Sequence, residues 1–94
     1  MKGSKYRSKL RICADILRII GERGETGPTR ILYGANLSYD RLVKYLEYLK
    51  GLSLIEEVRV GEEKTVYRLT KKGVEFLREY RRVERFARAF GIEL

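Results

Sequence analysis

Residues 8–20 place apolar side chains at Leu10, Cys13, Ile16, Leu17 and Ile20. Intervals of three and four put them on one face of a helix. Gly21 and Gly24 are expected to end it. Glu25 to Arg30 reads as a turn leading into a second helix. Pro28 suits the first helical turn, where a missing N–H costs nothing. Ile31, Leu32 and Ala35 give this helix about two turns. Gly34 weakens it, and Asn36 can close it in a left-handed cap. Ser38 is a good N-cap for a third helix, with Asp40 complementing the dipole in its first turn. Leu42, Leu46 and Leu49 form its apolar stripe, and Gly51 or Ser53 is expected to end it.

The period then changes. Residues 54–60 and 65–69 are rich in Val, Ile and Tyr, and Gly61-Glu62-Glu63-Lys64 lies between them as a hairpin loop. Val58, Val60, Val66 and Arg68 are expected to share one face. Ile55, Tyr67 and Leu69 then cover the core side. Thr70 caps a final helix from about Lys71 to Phe90. On it Gly73, Phe76, Tyr80, Val83, Ala87 and Phe90 alternate three and four apart, as in a coiled-coil seam. Val74 and Leu77 lie beside that seam and can pack on the core. The distal half of such a helix overhangs a domain this small and exposes Val83, Phe86 and Phe90. Exposed apolar stripes mark interfaces. A homodimer is therefore expected through Phe76, Tyr80, Val83, Phe86, Ala87 and Phe90.

Three helices, a hairpin and a last helix make an α+β chain of the winged helix-turn-helix type. The second and third helices form the helix-turn-helix, and the hairpin is the wing. Residues 1–70 are assigned to the winged-helix unit and 71–94 to the dimerisation helix, both within one compact unit. Ninety-four residues leave room for one core.

Composition narrows the function. With no histidine and one cysteine, the chain can build neither a Cys/His zinc site nor a Cys-His or Ser-His catalytic pair. No metal, cofactor or small-molecule effector is expected. Residues 21–27 lack the Lys-Ser/Thr ending of a phosphate-cradling loop, and the carboxylates are scattered, so the chain reads as a non-enzyme. Cys13 sits among apolar residues and reads as packing. No apolar run approaches the roughly 18 residues of a membrane span. A soluble, cytoplasmic, nucleoid-associated protein is expected. The absence of Gln, with a single Asn and Met amid many Arg, Lys and Glu, suggests a thermophilic source.

The formal charge of +8 points to a polyanionic partner, nucleic acid or an anionic membrane surface, and the winged-helix reading favours duplex DNA. Its distribution is uneven. Residues 1–30 hold eight basic and three acidic residues, 31–70 hold six of each, and 71–94 hold seven and four. The recognition segment is thus neutral, and phosphate attraction falls to its flanks. Lys5, Arg7 and Lys9 in the N-terminal segment, Arg30 on the second helix, and Arg59 and Lys64 on the wing are the candidate phosphate contacts. On the third helix Ser38, Tyr39 and Lys44 lie toward the end that meets base edges, and Arg41 is placed for the backbone. Tyr33, Tyr45 and Tyr48 are expected to complete the core or its rim.

Leu37-Ser38-Tyr39, Leu42, Tyr45-Leu46, Leu49 and Leu54-Ile55 resemble the pattern of archaeal winged-helix transcriptional regulators. So do Thr29 to Tyr39 as a helix-turn-helix, and Tyr67 to Gly73 followed by Phe76-Leu77. The resemblance covers residues 7–82. It implies DNA binding and, by likeness to small chromatin-associated relatives, dimerisation through antiparallel C-terminal helices. Two departures stand out. Ser53 replaces the glycine usual before Leu-Ile, and the last helix is short. A weakly sequence-specific architectural protein and a winged helix used as a protein-interaction module remain the alternatives to a regulator.

Overall fold

The computed structural model describes residues 7–94. Four helices and one hairpin follow in the order expected: α1 (Lys9–Arg23), α2 (Pro28–Ala35), α3 (Tyr39–Gly51), β1 (Ile55–Val60), β2 (Lys64–Leu69) and α4 (Lys71–Arg88). Helix α1 is the central element. Ile12, Cys13, Ile16, Leu17 and Ile20 are buried along it, against Ile31 and Ala35 of α2, Leu42, Leu46 and Leu49 of α3, and Leu77 of α4. Burial pushes the Cys13 thiol above its usual range, as befits a packing residue.

Local chemistry sets the helix ends. Ser8, Ser38 and Thr70 accept from the backbone N–H three residues on, at Arg11, Arg41 and Gly73. Each satisfies an amide the helix cannot bond internally. At the other end, three helices close in the same way. Asn36, Ser53 and Gly91 take positive φ (55°, 64° and 77°). The amides that follow them reach back to Leu32, Leu49 and Ala87. This is the Schellman closure, in which a left-handed residue turns the chain and covers orphan carbonyls. Ser53 therefore holds a left-handed position that glycine would take with less strain, and nothing in the structure explains the serine. Helix α1 passes through Gly21 and ends at Gly24 instead. The α-helical ladder of α4 stops at Arg88, two residues before Phe90.

The hairpin pairs Ile55 with Leu69 and Val58 with Val66, antiparallel throughout. Val58, Val60, Val66 and Arg68 thus share one face, as expected. A third stub was not legible as a strand. Thr26 exchanges two backbone bonds with Tyr67 (2.9 and 2.8 Å) and ties the α1–α2 connection to the wing. Arg68 reinforces it by reaching Glu56 at 2.8 Å and Glu25 at 3.5 Å.

Helix α4 differs most from expectation. It lies along α1 rather than overhanging the domain. Tyr80 and Ala87 are buried and Phe76 is half-buried against the core. Leu77 is buried, whereas Val74 is exposed. The expected seam is therefore split. The protomer covers Phe76, Tyr80 and Ala87 itself and leaves Val83, Phe86 and Phe90 in solvent, with Phe86 and Phe90 edge to face at 5.3 Å.

Candidate nucleic-acid interface

Helix α3 buries one stripe and presents the other. Tyr39, Arg41, Val43, Lys44 and Glu47 are exposed on it. Tyr39 stands out most, with two-thirds of its surface in solvent (66%). The Ser38 hydroxyl faces its own helix, accepting from Arg41 N–H at 3.3 Å. Its outer lone pair and hydrogen remain available to a partner. Neither Arg41 nor Lys44 makes an ion pair among the described residues. At the far end the charges are spent internally. Lys50 bridges Glu57 of β1 (2.6 Å) and Glu47 (3.2 Å), and these carboxylates, Glu57 foremost, hold the ammonium above its usual range. The free cations of α3 thus lie in its N-terminal half. Tyr67 flanks this surface from the wing, its phenol pushed up mainly by burial and then by Glu57.

A second cluster lies beside the wing. Arg30 at the start of α2 and Lys64 of β2 line one open groove of about 1110 Å³. Arg23 lines it too. Sequence reasoning missed Arg23; its only signal was a basic residue in the last turn of α1. Gly27 caps α2 without a side-chain bond, so its first amides are open to an anion. Arg59 is on the wing as expected, with one donor bonded to the Glu62 carbonyl at 2.8 Å.

The N-terminal candidates divide. Lys5 lies outside the described residues. Lys9 sits over the Tyr48 ring at 4.0 Å, at the far end of α3. Arg7 is turned inward. It pairs with the buried Asp15 at 2.7 Å and donates to the Asn36 carbonyl at 3.3 Å. A guanidinium so committed is not a free phosphate contact, which corrects the sequence expectation for this residue. Tyr45 completes the core rim, but Tyr33 is 77% exposed, and Tyr48, at 42%, keeps less than half of its surface in solvent.

Among the described residues no group of three or more acidic or cysteine side chains could hold a metal. No helix there is long and apolar enough to cross a membrane.

A family model described as winged helix-turn-helix matches residues 6–88. Among solved structures, the chain is similar to Sso10a-2, described as a DNA-binding protein from Sulfolobus solfataricus. The identity is 25% and the TM-score 0.79, covering 89% of this chain and 85% of that one. It is also similar to ZitR of Lactococcus lactis, a zinc-responsive MarR family member, at 23% identity and TM-score 0.68. That match covers 81% of this chain and 54% of ZitR. FabT of Streptococcus pneumoniae, solved in complex with DNA, matches at 22% identity and TM-score 0.68, over 83% of this chain and 54% of FabT. The chain thus spans about half the length of ZitR and FabT. No curated protein matches it.

Proposed function

Because the chain belongs to the winged helix-turn-helix family, we propose that it binds duplex DNA as a homodimeric regulator, with α3 in the major groove. The observation that carries this reading is the N-terminal half of α3. There an exposed Tyr39 and two cations, Arg41 and Lys44, that make no ion pair among the described residues project from a helix anchored by the buried Leu42, Leu46 and Leu49. In helix-turn-helix proteins that end of the second helix meets base edges. Tyr39 supplies a hydroxyl and an apolar ring for a thymine methyl, and Lys44 a donor for guanine or phosphate. The groove of Arg23, Arg30 and Lys64 is set for the flanking backbone. The described DNA binding of Sso10a-2 and the DNA complex of FabT support the reading.

The test is selection of binding sites from random duplex DNA at stated salt. A regulator enriches a motif. Tyr39→Ala with Lys44→Ala should weaken binding to the selected site by about 1–3 kcal/mol and to unrelated DNA much less. No binding of any duplex at moderate salt would reject the proposal in favour of a protein-interaction module. The neutral charge of residues 31–70 specifically favours a second reading, a chromatin architectural protein of low sequence preference. That reading is met if no motif emerges and the variants weaken binding to every duplex alike.

Dimerisation rests on Val83 and Phe86 of α4 and on Phe90 just past its end, half or more exposed at 51%, 69% and 68%. Sedimentation at micromolar concentration should give a dimer, and Phe86→Glu a monomer. A wild-type monomer would sink this part alone.

A further inference from the structure

Helix α4 has three faces. At about 100° per residue, Leu77, Tyr80 and Ala87 point toward α1, and Val83 and Phe86 form an apolar stripe roughly 100° away, joined just past the helix end by Phe90, which packs edge to face on Phe86. The third face reads Lys71, Val74, Arg78, Arg81, Arg85, Arg88, again three and four apart. All six are exposed. Five of the six are cations, in a row about 25 Å long at 1.5 Å per residue.

We infer that this row is a second surface for the phosphodiester backbone, able to hold a DNA segment other than the one beneath α3. The inference rests on the DNA-binding reading above. Its own support is independent of α3. First, the cations are largely unspent. Arg88 reaches Glu84 at 3.4 Å, but Lys71, Arg78, Arg81 and Arg85 make no ion pair among the described residues. A solvated helix face ordinarily interleaves both signs for i, i+4 pairing; this row contains no acid. Second, it borders a groove. Arg78, Arg81, Arg82 and Arg85 line a trough of about 700 Å³ against Gly21, Leu69 and Leu77, with Glu22 its one acid. Guanidinium forks along a trough suit successive phosphates better than a flat surface does. Third, the row is carried by a different helix from the α3 surface: α4 packs on α1 and β2, while Tyr39, Arg41 and Lys44 project from α3. Its trough meets the Arg23–Arg30–Lys64 groove at the acid Glu22, which lines both. The row also lies more than a quarter turn from the apolar stripe, so pairing of two chains through Phe86 and Phe90 leaves it open.

The test replaces Arg78, Arg81 and Arg85 by Gln in the full chain. One duplex is fixed to beads, and capture of a second, fluorescent duplex is measured alongside affinity for a short single duplex. The variant should lose about tenfold or more of two-duplex capture. Its single-duplex affinity and salt slope should stay close to wild type. Capture unchanged by the variant overturns the inference, because paired α3 helices then do the bridging. A single-duplex slope lowered by about 0.9 per arginine also overturns it, by placing these residues in the first footprint. A wild type that binds one duplex but never pairs two, or that instead floats with anionic phosphatidylglycerol vesicles, defeats this inference alone. A wild type that binds no duplex defeats the DNA reading beneath it.

Discussion

Gly73→Ala is expected to destabilise the fold by about 3 kcal/mol. Helix propensity alone predicts the opposite sign, since alanine is favoured over glycine in a helix by about 1 kcal/mol. Sterics decide the case. A Cβ on Gly73 would overlap the Leu54 carbonyl oxygen. That carbonyl cannot step aside cheaply. It accepts from Thr70 N–H at 3.1 Å, and the Leu54 N–H is held by Leu49 at 3.0 Å. The Thr70 hydroxyl completes the knot, donating to the Ser53 carbonyl at 2.6 Å and accepting from Gly73 N–H at 3.0 Å. The end of α3, the base of the wing and the start of α4 are thus fastened within a few residues, and alanine would pry all three apart. Denaturant unfolding measures it. Gly51, where a Cβ meets nothing within 4 Å, is the control at which alanine should raise the midpoint. A Gly73→Ala midpoint at or above wild type would overturn the argument.

What the chain disclosed beforehand was what neighbours in sequence decide. Ser38 and Thr70 as caps, Asn36 as a left-handed closure and the face shared by Val58 and Val66 all depend on residues a few positions apart. The N-terminal half of α3 was legible for the same reason, because Leu42, Leu46 and Leu49 determine which side chains are left outside. Misplaced features depend on a second element. The periodicity of α4 shows an apolar band wide enough for two partners. Only the position of α1 divides it into Tyr80 and Ala87 within the protomer and Val83 and Phe86 without. Arg7 looked like one more basic residue of the N-terminal segment until its partners, eight and twenty-nine residues away, appeared. Arg23 joined Arg30 and Lys64 only once the wing folded back toward α2. The Thr26–Tyr67 bridge is a single residue long and has no period to detect.

Those distant partners carry the second large effect. Asp15→Ala should cost about 2–3 kcal/mol. Asp15 is 8% exposed, and its carboxylate meets Arg7 at 2.7 Å, Arg18 at 3.0 Å and Arg11 at 3.5 Å. Breaking a buried pair from one side typically costs about 3–5 kcal/mol, because the remaining charge is left uncompensated. Here the arginines keep partial access to water, 24% for Arg7 and about 40% for the other two, which lowers the figure. Three guanidinium groups would then face one another with no anion between them. Their repulsion is screened over about 10 Å at 0.1 M salt, so the loss should shrink as salt is added, whereas a simple cavity would be indifferent to it. Asp15→Asn separates the two causes. It keeps the volume and removes the charge, and should reproduce most of the loss with the same salt response. An asparagine variant as stable as wild type would show that packing, not charge, is what Asp15 supplies. The consequence reaches the DNA surface. Arg7 joins Asp15 to the Asn36 carbonyl, two residues before the cap of α3, so loosening it should also lower affinity for DNA at temperatures where the variant remains folded.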